Sequence, residues 1–174
     1  MGMELLAMPY LNEFYSQENH ARARRQHLEG LAQSLPWIAT IDAFQHWLYT
    51  NPEHTHEQRR AYWEHLMERF GPAVSWDSLE DYRAFTWQKQ LHIFEVPFYY
   101  IEYGIAQLGA LQLWLQSRDD EARAIENYRN ALQLGGSRPL PELFNAAGLK
   151  FDFGPDTVQS LMDEVQRELE TLPL

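Results

Sequence analysis

Apolar residues recur at intervals of three and four positions along almost the whole chain of 174 residues. This spacing places them on one face of an α-helix, whereas the alternation typical of a strand occurs only at residues 149–153. Prolines at the predicted helix starts and glycines after the predicted ends support the boundaries. We therefore predict an all-α protein with helices at residues 3–16, 18–34, 36–50, 55–70, 78–95, 97–117, 119–134, 139–147 and 155–171.

The domain organisation follows from the length of the chain and from its short predicted connections. Both suit one domain, so we expect residues 1–174 to form a single all-α domain. Residues 1–8 are strongly apolar and fit a helix, but no Ser, Thr, Asp or Asn residue precedes them as a cap. This start predicts a helix that begins upstream of Met1.

Charge and composition exclude several classes of function. The chain carries 14 Lys and Arg residues against 25 Asp and Glu residues, a net charge of −11, so its electric field opposes binding of nucleic acid. It contains no cysteine, which excludes a disulfide scaffold and any thiolate-ligated metal. Glu95 and Glu102 interrupt the longest apolar stretch, and no signal peptide is visible. We therefore expect a cytoplasmic protein without a membrane span.

Four histidines lie close together in the sequence, but their spacing does not match a zinc site. Zinc ligands on a helix stand three or four residues apart, and no two of these histidines meet that rule, although His65 stands three residues before Glu68. We therefore predict that this chain contributes no metal ligand. The acidic side chains fit the first turns and solvated faces of helices, and no two of them stand out as catalytic carboxylates. The four histidines are His46, His54, His56 and His65.

Residues 92–104 concentrate polar aromatic chemistry, with one imidazole and three phenols. Pro97 interrupts or restarts the helix, after which Tyr99 and Tyr103 stand one turn apart and are predicted to share a helix face. Small residues further along would let an extended ligand or a neighbouring backbone come close. The same pattern also fits a packed core helix whose tyrosines are buried with paired hydroxyls, and periodicity alone favours this second interpretation.

Three segments of the sequence resemble one family of enzymes. Residues 41–47 read Ile-Asp-Ala-Phe-Gln-His-Trp, residues 87–104 contain a histidine followed by three tyrosines, and residues 139–148 contain Pro-Glu-Leu-Phe. Together these segments resemble the oligoendopeptidase F branch of the thimet-oligopeptidase-like zinc peptidases. The resemblance covers most of the chain.

The resemblance implies a mostly helical enzyme that encloses a narrow channel and cleaves short peptides. It also implies a zinc ion held by a His-Glu-x-x-His helix and by a Glu on the following helix, none of which this chain contains. Residues 1–4, Met-Gly-Met-Glu, match the tail of that following helix, so we expect the sequence to be the C-terminal part of a longer peptidase. Zinc is then expected in the complete enzyme and not in this chain alone, which we expect to be inactive by itself.

The resemblance also implies roles for individual side chains. His92 and Tyr100 would bind the substrate. Tyr99 and Tyr103 would be catalytic, donating hydrogen bonds to the substrate backbone or to the oxyanion, and which tyrosine meets the oxyanion stays open. Glu4 would lie two helical turns after the expected zinc ligand and on the same face, where it would form a hydrogen bond to a ligand of the metal.

Two other functions stay open on the sequence alone. The missing ligands also fit a catalytically inactive helical module that binds peptides or a partner protein. Residues 121–134 resemble one tetratricopeptide helix, although no second copy lies about 34 residues away. For the peptidase fragment, an uncovered apolar surface predicts contact with the missing N-terminal part, or self-association into a homo-oligomer.

Overall fold

A computed structural model of the protein describes residues 1–173, and within this range the chain is helical without a β-strand, which confirms the predicted all-α class. None of the described helices has the length and apolarity needed to cross a bilayer, and a cytoplasmic location stays a prediction. Two 3₁₀ segments cover Met8–Glu13 and Thr86–Lys89. The α-helices are α1 (Gly2–Ala7), α2 (Gln17–Thr50), α3 (His56–Phe70), α4 (Glu80–Ala84), α5 (His92–Glu95), α6 (Ile101–Asp119), α7 (Glu121–Leu134), α8 (Leu140–Ala146) and α9 (Pro155–Glu170).

Helix α2 corrects the prediction of two helices at residues 18–34 and 36–50. It runs unbroken for 34 residues with Pro36 inside it. A proline in a helix interior removes one hydrogen bond and destabilises the helix by about 3 kcal/mol. The helix continues because buried apolar side chains anchor it on both sides of the proline, Leu28 and Leu31 before it and Ile41 and Phe44 after it.

Three other predicted helices are also wrong in extent. The segment 78–95 forms α4, a 3₁₀ segment and α5 in place of one helix. The helix predicted at 97–117 begins only at Ile101, because Phe98 adopts a positive φ of 61° that a right-handed helix does not accommodate. The helix predicted at 3–16 is α-helical to Ala7 and 3₁₀ to Glu13.

The chain divides into two compact units. The first consists of Met1–Ala32 and Ile105–Leu174, and the second of Gln33–Gly104. Helices α2 and α6 each contribute residues to both units. This division does not decide whether residues 1–174 form a single domain, which stays a prediction.

The first unit buries one face of α7 and of α9, and it buries α6 on all sides over residues 107–111. Helix α7 packs against α8, and α9 buries Leu161 and Val165, which lie one helical turn apart. A Cβ atom at Gly109 of α6 would lie only 3.0 Å from the ring of Phe144 on α8. Because glycine has no side chain, the Phe144 ring can pack close to the backbone of α6. The other large buried side chains of this unit are Leu5, Met8, Leu28, Leu31, Leu108, Leu111, Leu113 and Trp114.

The guanidinium group of Arg25 closes the C-terminal end of α9. It donates hydrogen bonds to the carbonyl oxygens of Leu169, Leu172 and Pro173, at 3.1, 2.9 and 2.6 Å. The last carbonyls of a helix have no partner within the helix, and a cation at this end also interacts favourably with the helix dipole. Arg25, which lies on α2, therefore stabilises the C-terminal end of α9.

Replacing Arg25 with Met should lower the free energy of unfolding by about 2 kcal/mol, because hydrogen bonds to charged groups contribute about 1.5–3 kcal/mol. Arg22→Met is the matched control. Arg22 is exposed on the same helix, and its substitution should change stability by less than about 0.5 kcal/mol. Urea denaturation measures both variants, and equal midpoints would contradict the capping role of Arg25.

The second unit is built on an aromatic core. Trp63 of α3 is fully buried, and its ring meets the rings of Trp37 and Phe44 edge-on at 5.9 and 5.0 Å. Its indole N–H donates to the carbonyl of Arg83 and to the hydroxyl of Thr86, both at 3.0 Å. The same core contains Ile93 of α5, so it fixes the short helix on which the candidate site depends. The remaining core members are Ile41, Leu66, Met67 and Trp87.

Candidate functional site

The turn between α5 and α6 groups one imidazole and three phenol rings. His92 begins α5, Tyr103 lies in the first turn of α6, and Tyr99 and Tyr100 immediately precede α6. The centroid of the His92 ring lies 5.0 Å from that of Tyr100, 5.6 Å from that of Tyr103 and 6.1 Å from that of Tyr99. These four side chains, all selected from the sequence, form the aromatic cluster of the second unit.

Tyr99 reaches this cluster through a turn and not along a helix face. Its amide donates to the carbonyl of Val96 at 3.1 Å, with Pro97 and Phe98 as the two central residues of the turn. Pro97 suits its position, whereas the positive φ of the next residue is normally left to Gly or Asn. The prediction that Tyr99 and Tyr103 share a face of one helix is therefore wrong, although their rings still lie 5.8 Å apart.

A line of hydrogen bonds runs through the cluster. Trp37 Nε1 donates to Gln90 Oε1 at 3.3 Å, and Gln90 Nε2 lies 2.6 Å from His92 Nδ1. His92 Nε2 lies 3.1 Å from the hydroxyl oxygen of Tyr103. Sequence reasoning missed Trp37 and Gln90, because one lies 53 residues from the other and neither belongs to a motif with fixed spacing. The glutamine two positions before the histidine was the available signal.

The members of the cluster differ in exposure. Tyr99 is 48 % exposed, whereas His92, Tyr100 and Tyr103 are half-buried. Burial raises the pKa of Tyr100 above its usual value, and the indole N–H of Trp37, which Tyr100 shares with Gln90, acts in the opposite direction. Tyr100 is therefore a protonated hydrogen-bond donor at neutral pH. Tyr99 is the member that a ligand reaches most easily.

The alternative of a packed core helix fails for Tyr99, because this residue is exposed and lies outside α6. It does describe Gly104 and Gly109. A Cβ atom at Gly104 would lie 3.3 Å from the side chain of Ile38, and one at Gly109 would lie 3.0 Å from the ring of Phe144. These two glycines therefore allow close packing, whereas Ala106 and Ala110 line an open groove of the first unit.

Glu4 lies on α1 in the first unit. Its side chain is 63 % exposed, and its carboxylate lies 2.5 Å from the amino group of Met1. The hydrogen bond from that amino group lowers the pKa of Glu4. Its role beside a ligand of a metal stays a prediction.

Residues 1–173 contain no group of three or more His, Asp and Glu side chains arranged to hold a metal ion. His46 Nδ1 lies 2.9 Å from the backbone oxygen of Asp42, and His54 Nδ1 lies 2.5 Å from that of Asn51. These two imidazoles therefore bond to the backbone around the end of α2. A zinc ion does not fit the residues described, since they offer it no set of three ligands.

The first unit carries an open apolar groove with a volume of about 670 Å³. Residues of α6, α7 and α8 supply most of its lining, including Leu113, Leu132 and Phe144. Apolar side chains near the start of the chain are also exposed, Met3 to 70 % and Phe14 to 79 %. Contact of this surface with the missing part of a peptidase, or with a second copy, stays a prediction.

Fold and cluster together define an all-α protein with an accessible group of imidazole and phenol donors. The model of peptidase family M3 matches residues 1–162, which is most of the chain. The chain therefore belongs to peptidase family M3, in agreement with the resemblance to metallopeptidases in its sequence. The match includes residues 121–134, so the segment that resembles a tetratricopeptide helix belongs to the peptidase fold. A comparison with curated proteins gives no match.

Solved structures of three peptidases are similar to this chain. An oligoendopeptidase F solved at 3.1 Å is 33 % identical with a TM-score of 0.85, and PZ peptidase A with a bound inhibitor is 32 % identical with a TM-score of 0.86. An oligoendopeptidase F from Bacillus anthracis strain Ames is 29 % identical with a TM-score of 0.76. Each alignment covers 98 % of this chain, which spans only 30, 30 and 27 % of the three proteins.

Proposed function

We propose that the protein is part of a zinc-dependent metalloendopeptidase that hydrolyses short peptides, and that this chain supplies groups that hold the substrate and the oxyanion. The observation that carries this proposal is the contact of 3.1 Å between His92 Nε2 and the Tyr103 hydroxyl in an accessible cluster. Membership of peptidase family M3 supports peptides as the substrate class. Residues outside those described would hold the zinc ion.

The cluster suits the tetrahedral intermediate of peptide hydrolysis. Addition of water to a peptide carbonyl places negative charge on the carbonyl oxygen, and fixed donors stabilise that charge more than they stabilise the neutral substrate. Tyr99 and Tyr103 each offer one O–H donor, and their rings lie 5.8 Å apart. His92 and Tyr100 would hold the substrate backbone. Zinc, when bound in the complete enzyme, supplies a Lewis acid and a water of lowered pKa.

Tyr103 is the better placed of the two phenols to meet the oxyanion. Its hydroxyl is anchored by the His92 imidazole, so little reorganisation is needed when charge develops on the substrate. The Tyr99 hydroxyl has no hydrogen-bond partner among the residues described, and its side chain is more exposed. We therefore assign the oxyanion to Tyr103 and the substrate backbone to Tyr99.

The proposal predicts that metal and activity both depend on more than this chain. The 174-residue chain alone should bind no stoichiometric zinc and cleave no peptide, because its described residues contain no set of three ligands. The complete peptidase should bind zinc, lose cleavage of a short fluorogenic peptide after dialysis against a chelator, and regain it when zinc is restored. Metal analysis and peptide cleavage assays measure these effects.

Three outcomes would contradict this proposal. One zinc ion retained per isolated chain would show that the ligand set is wrongly placed. Cleavage by the complete protein that survives removal of all metal would exclude a zinc-dependent reaction. Binding of the peptide by the metal-loaded complete protein without cleavage would favour the inactive peptide-binding module.

A further inference from the structure

In the line of hydrogen bonds from Trp37 to Tyr103, only one assignment of donors and acceptors satisfies every contact. An indole N–H can only donate, so the group that Gln90 presents to Trp37 at 3.3 Å is its amide oxygen. The amide nitrogen of Gln90 then faces His92 Nδ1 at 2.6 Å and donates to it. The opposite orientation of the amide would place two donors against each other at Trp37.

This direction fixes the proton on the imidazole of His92. Accepting a hydrogen bond at Nδ1 requires a lone pair there, so the neutral ring carries its proton on Nε2. Nε2 then donates to the hydroxyl oxygen of Tyr103 at 3.1 Å. Because that oxygen accepts from His92, the phenol proton of Tyr103 is not used within the cluster and can be donated to a ligand.

The first donor of the line is held by the core of the second unit. The ring of Trp37 packs edge-on against the buried ring of Trp63 at 5.9 Å, and the ammonium group of Lys89 lies 5.0 Å from the Trp37 ring. Gln90 follows Lys89 directly and is half-buried. The orientation of the Gln90 amide is therefore set by a side chain that does not depend on a bound ligand.

We propose that Gln90 is a positioning residue that selects the Nε2–H tautomer of His92 and thereby directs the O–H of Tyr103 toward the substrate. The inference rests on the proposed function, in which Tyr103 donates to the oxyanion. In the opposite tautomer, Nε2 is an acceptor and takes the phenol proton of Tyr103 as its hydrogen-bond donor. The substrate would then lose that donor although every ring keeps its place.

Nitrogen NMR of the imidazole tests this inference without an assay of activity. The measurement is a long-range ¹H–¹⁵N correlation of His92 in the labelled 174-residue chain, at about pH 8.5, two units above the ordinary imidazole pKa. The wild-type chain should show the Nε2–H tautomer. Gln90→Glu should show the Nδ1–H tautomer, because a carboxylate only accepts, and Gln90→Leu should show a mixture of both. Gln88→Glu is the matched control, since it places the same charge on an exposed neighbour and should leave the tautomer unchanged.

Kinetics of the complete enzyme provide a second measurement. Gln90→Glu should lower kcat by about 10–100-fold, the range found when the hydrogen-bond partner that orients a metal-ligating histidine is replaced, with KM and the unfolding midpoint close to wild type. The Nδ1–H tautomer in the wild-type chain, or the Nε2–H tautomer in both Gln90 variants, would overturn the positioning role. A normal tautomer response combined with full turnover in Tyr103→Phe would contradict the proposed function and leave the orientation of His92 by Gln90 intact.

Discussion

Replacing Tyr103 with Phe in the complete enzyme is expected to lower kcat by about 10²–10³-fold while KM changes little. The substitution removes one hydroxyl and keeps the ring, so packing against His92 and Tyr99 is preserved. A donor aimed at the oxyanion acts on the transition state far more than on the bound substrate, and its loss raises the barrier by about 3–4 kcal/mol. Steady-state kinetics with a short peptide measures both constants.

Tyr82→Phe is the matched control for this experiment. Tyr82 belongs to the same unit, is 73 % exposed and lies outside the cluster, so the loss of its hydroxyl should leave both constants unchanged. Denaturant melts of the two variants separate catalysis from folding, because a tyrosine with only a structural hydrogen bond contributes about 1 kcal/mol to stability and nothing to turnover. Wild-type kcat in Tyr103→Phe would remove the oxyanion assignment.

Replacing Trp63 with Ala should lower the free energy of unfolding by about 3–5 kcal/mol, the range for removing a large buried aromatic side chain. Trp63 is fully buried between Trp37 and Phe44, so its removal leaves a cavity that the surrounding rings fill only in part. The carbonyl of Arg83 and the hydroxyl of Thr86 also lose their indole partner. Urea denaturation followed by circular dichroism measures the effect.

One further variant separates the loss of packing from the loss of the hydrogen bonds, and a variant of an exposed residue is the control. Trp63→Phe keeps an aromatic ring in the core and should cost less than the Ala variant, while it still leaves the carbonyl of Arg83 without the indole donor. Tyr82→Ala removes an exposed aromatic side chain and should change stability by less than about 0.5 kcal/mol. A change below about 1 kcal/mol in Trp63→Ala would show that this core does not hold the second unit together.

The helical class could be predicted from the sequence because apolar spacing reports directly which face of a segment is buried. The sequence could not predict where helices begin and end near prolines and short connections. Pro36 has the same local preference whether it starts a helix or lies inside one, and only the burial of Ile41 and Phe44 beyond it decides for a continuous α2. Nothing in the sequence indicates a positive φ at Phe98, so the start of α6 at Ile101 could not be predicted.

The candidate site also has a part that the sequence predicts and a part that it does not. His92 and the three tyrosines lie within a short stretch of sequence, so their grouping could be predicted even though the predicted helix face is wrong. The groups that orient His92 could not be predicted together, because Trp37 meets Gln90 only after the second unit has folded. A glutamine and a tryptophan far apart in sequence are ordinary residues until their hydrogen bonds are seen. They contribute to the site through the direction of their hydrogen bonds to His92 and to each other, which residue type alone does not reveal.

The approach of α8 to α6 makes two distant positions depend on each other. A methyl group on Gly109 would lie 3.0 Å from the nearest atom of the Phe144 ring, so the ring would have to move by a few tenths of an ångström to accept it. A chain with Ala or Ser at the first position would therefore need a displaced ring or a smaller side chain at the second to keep the same helix spacing. Packing therefore constrains the combined volume of the two side chains and not either residue alone, and we expect the two positions to change together during evolution.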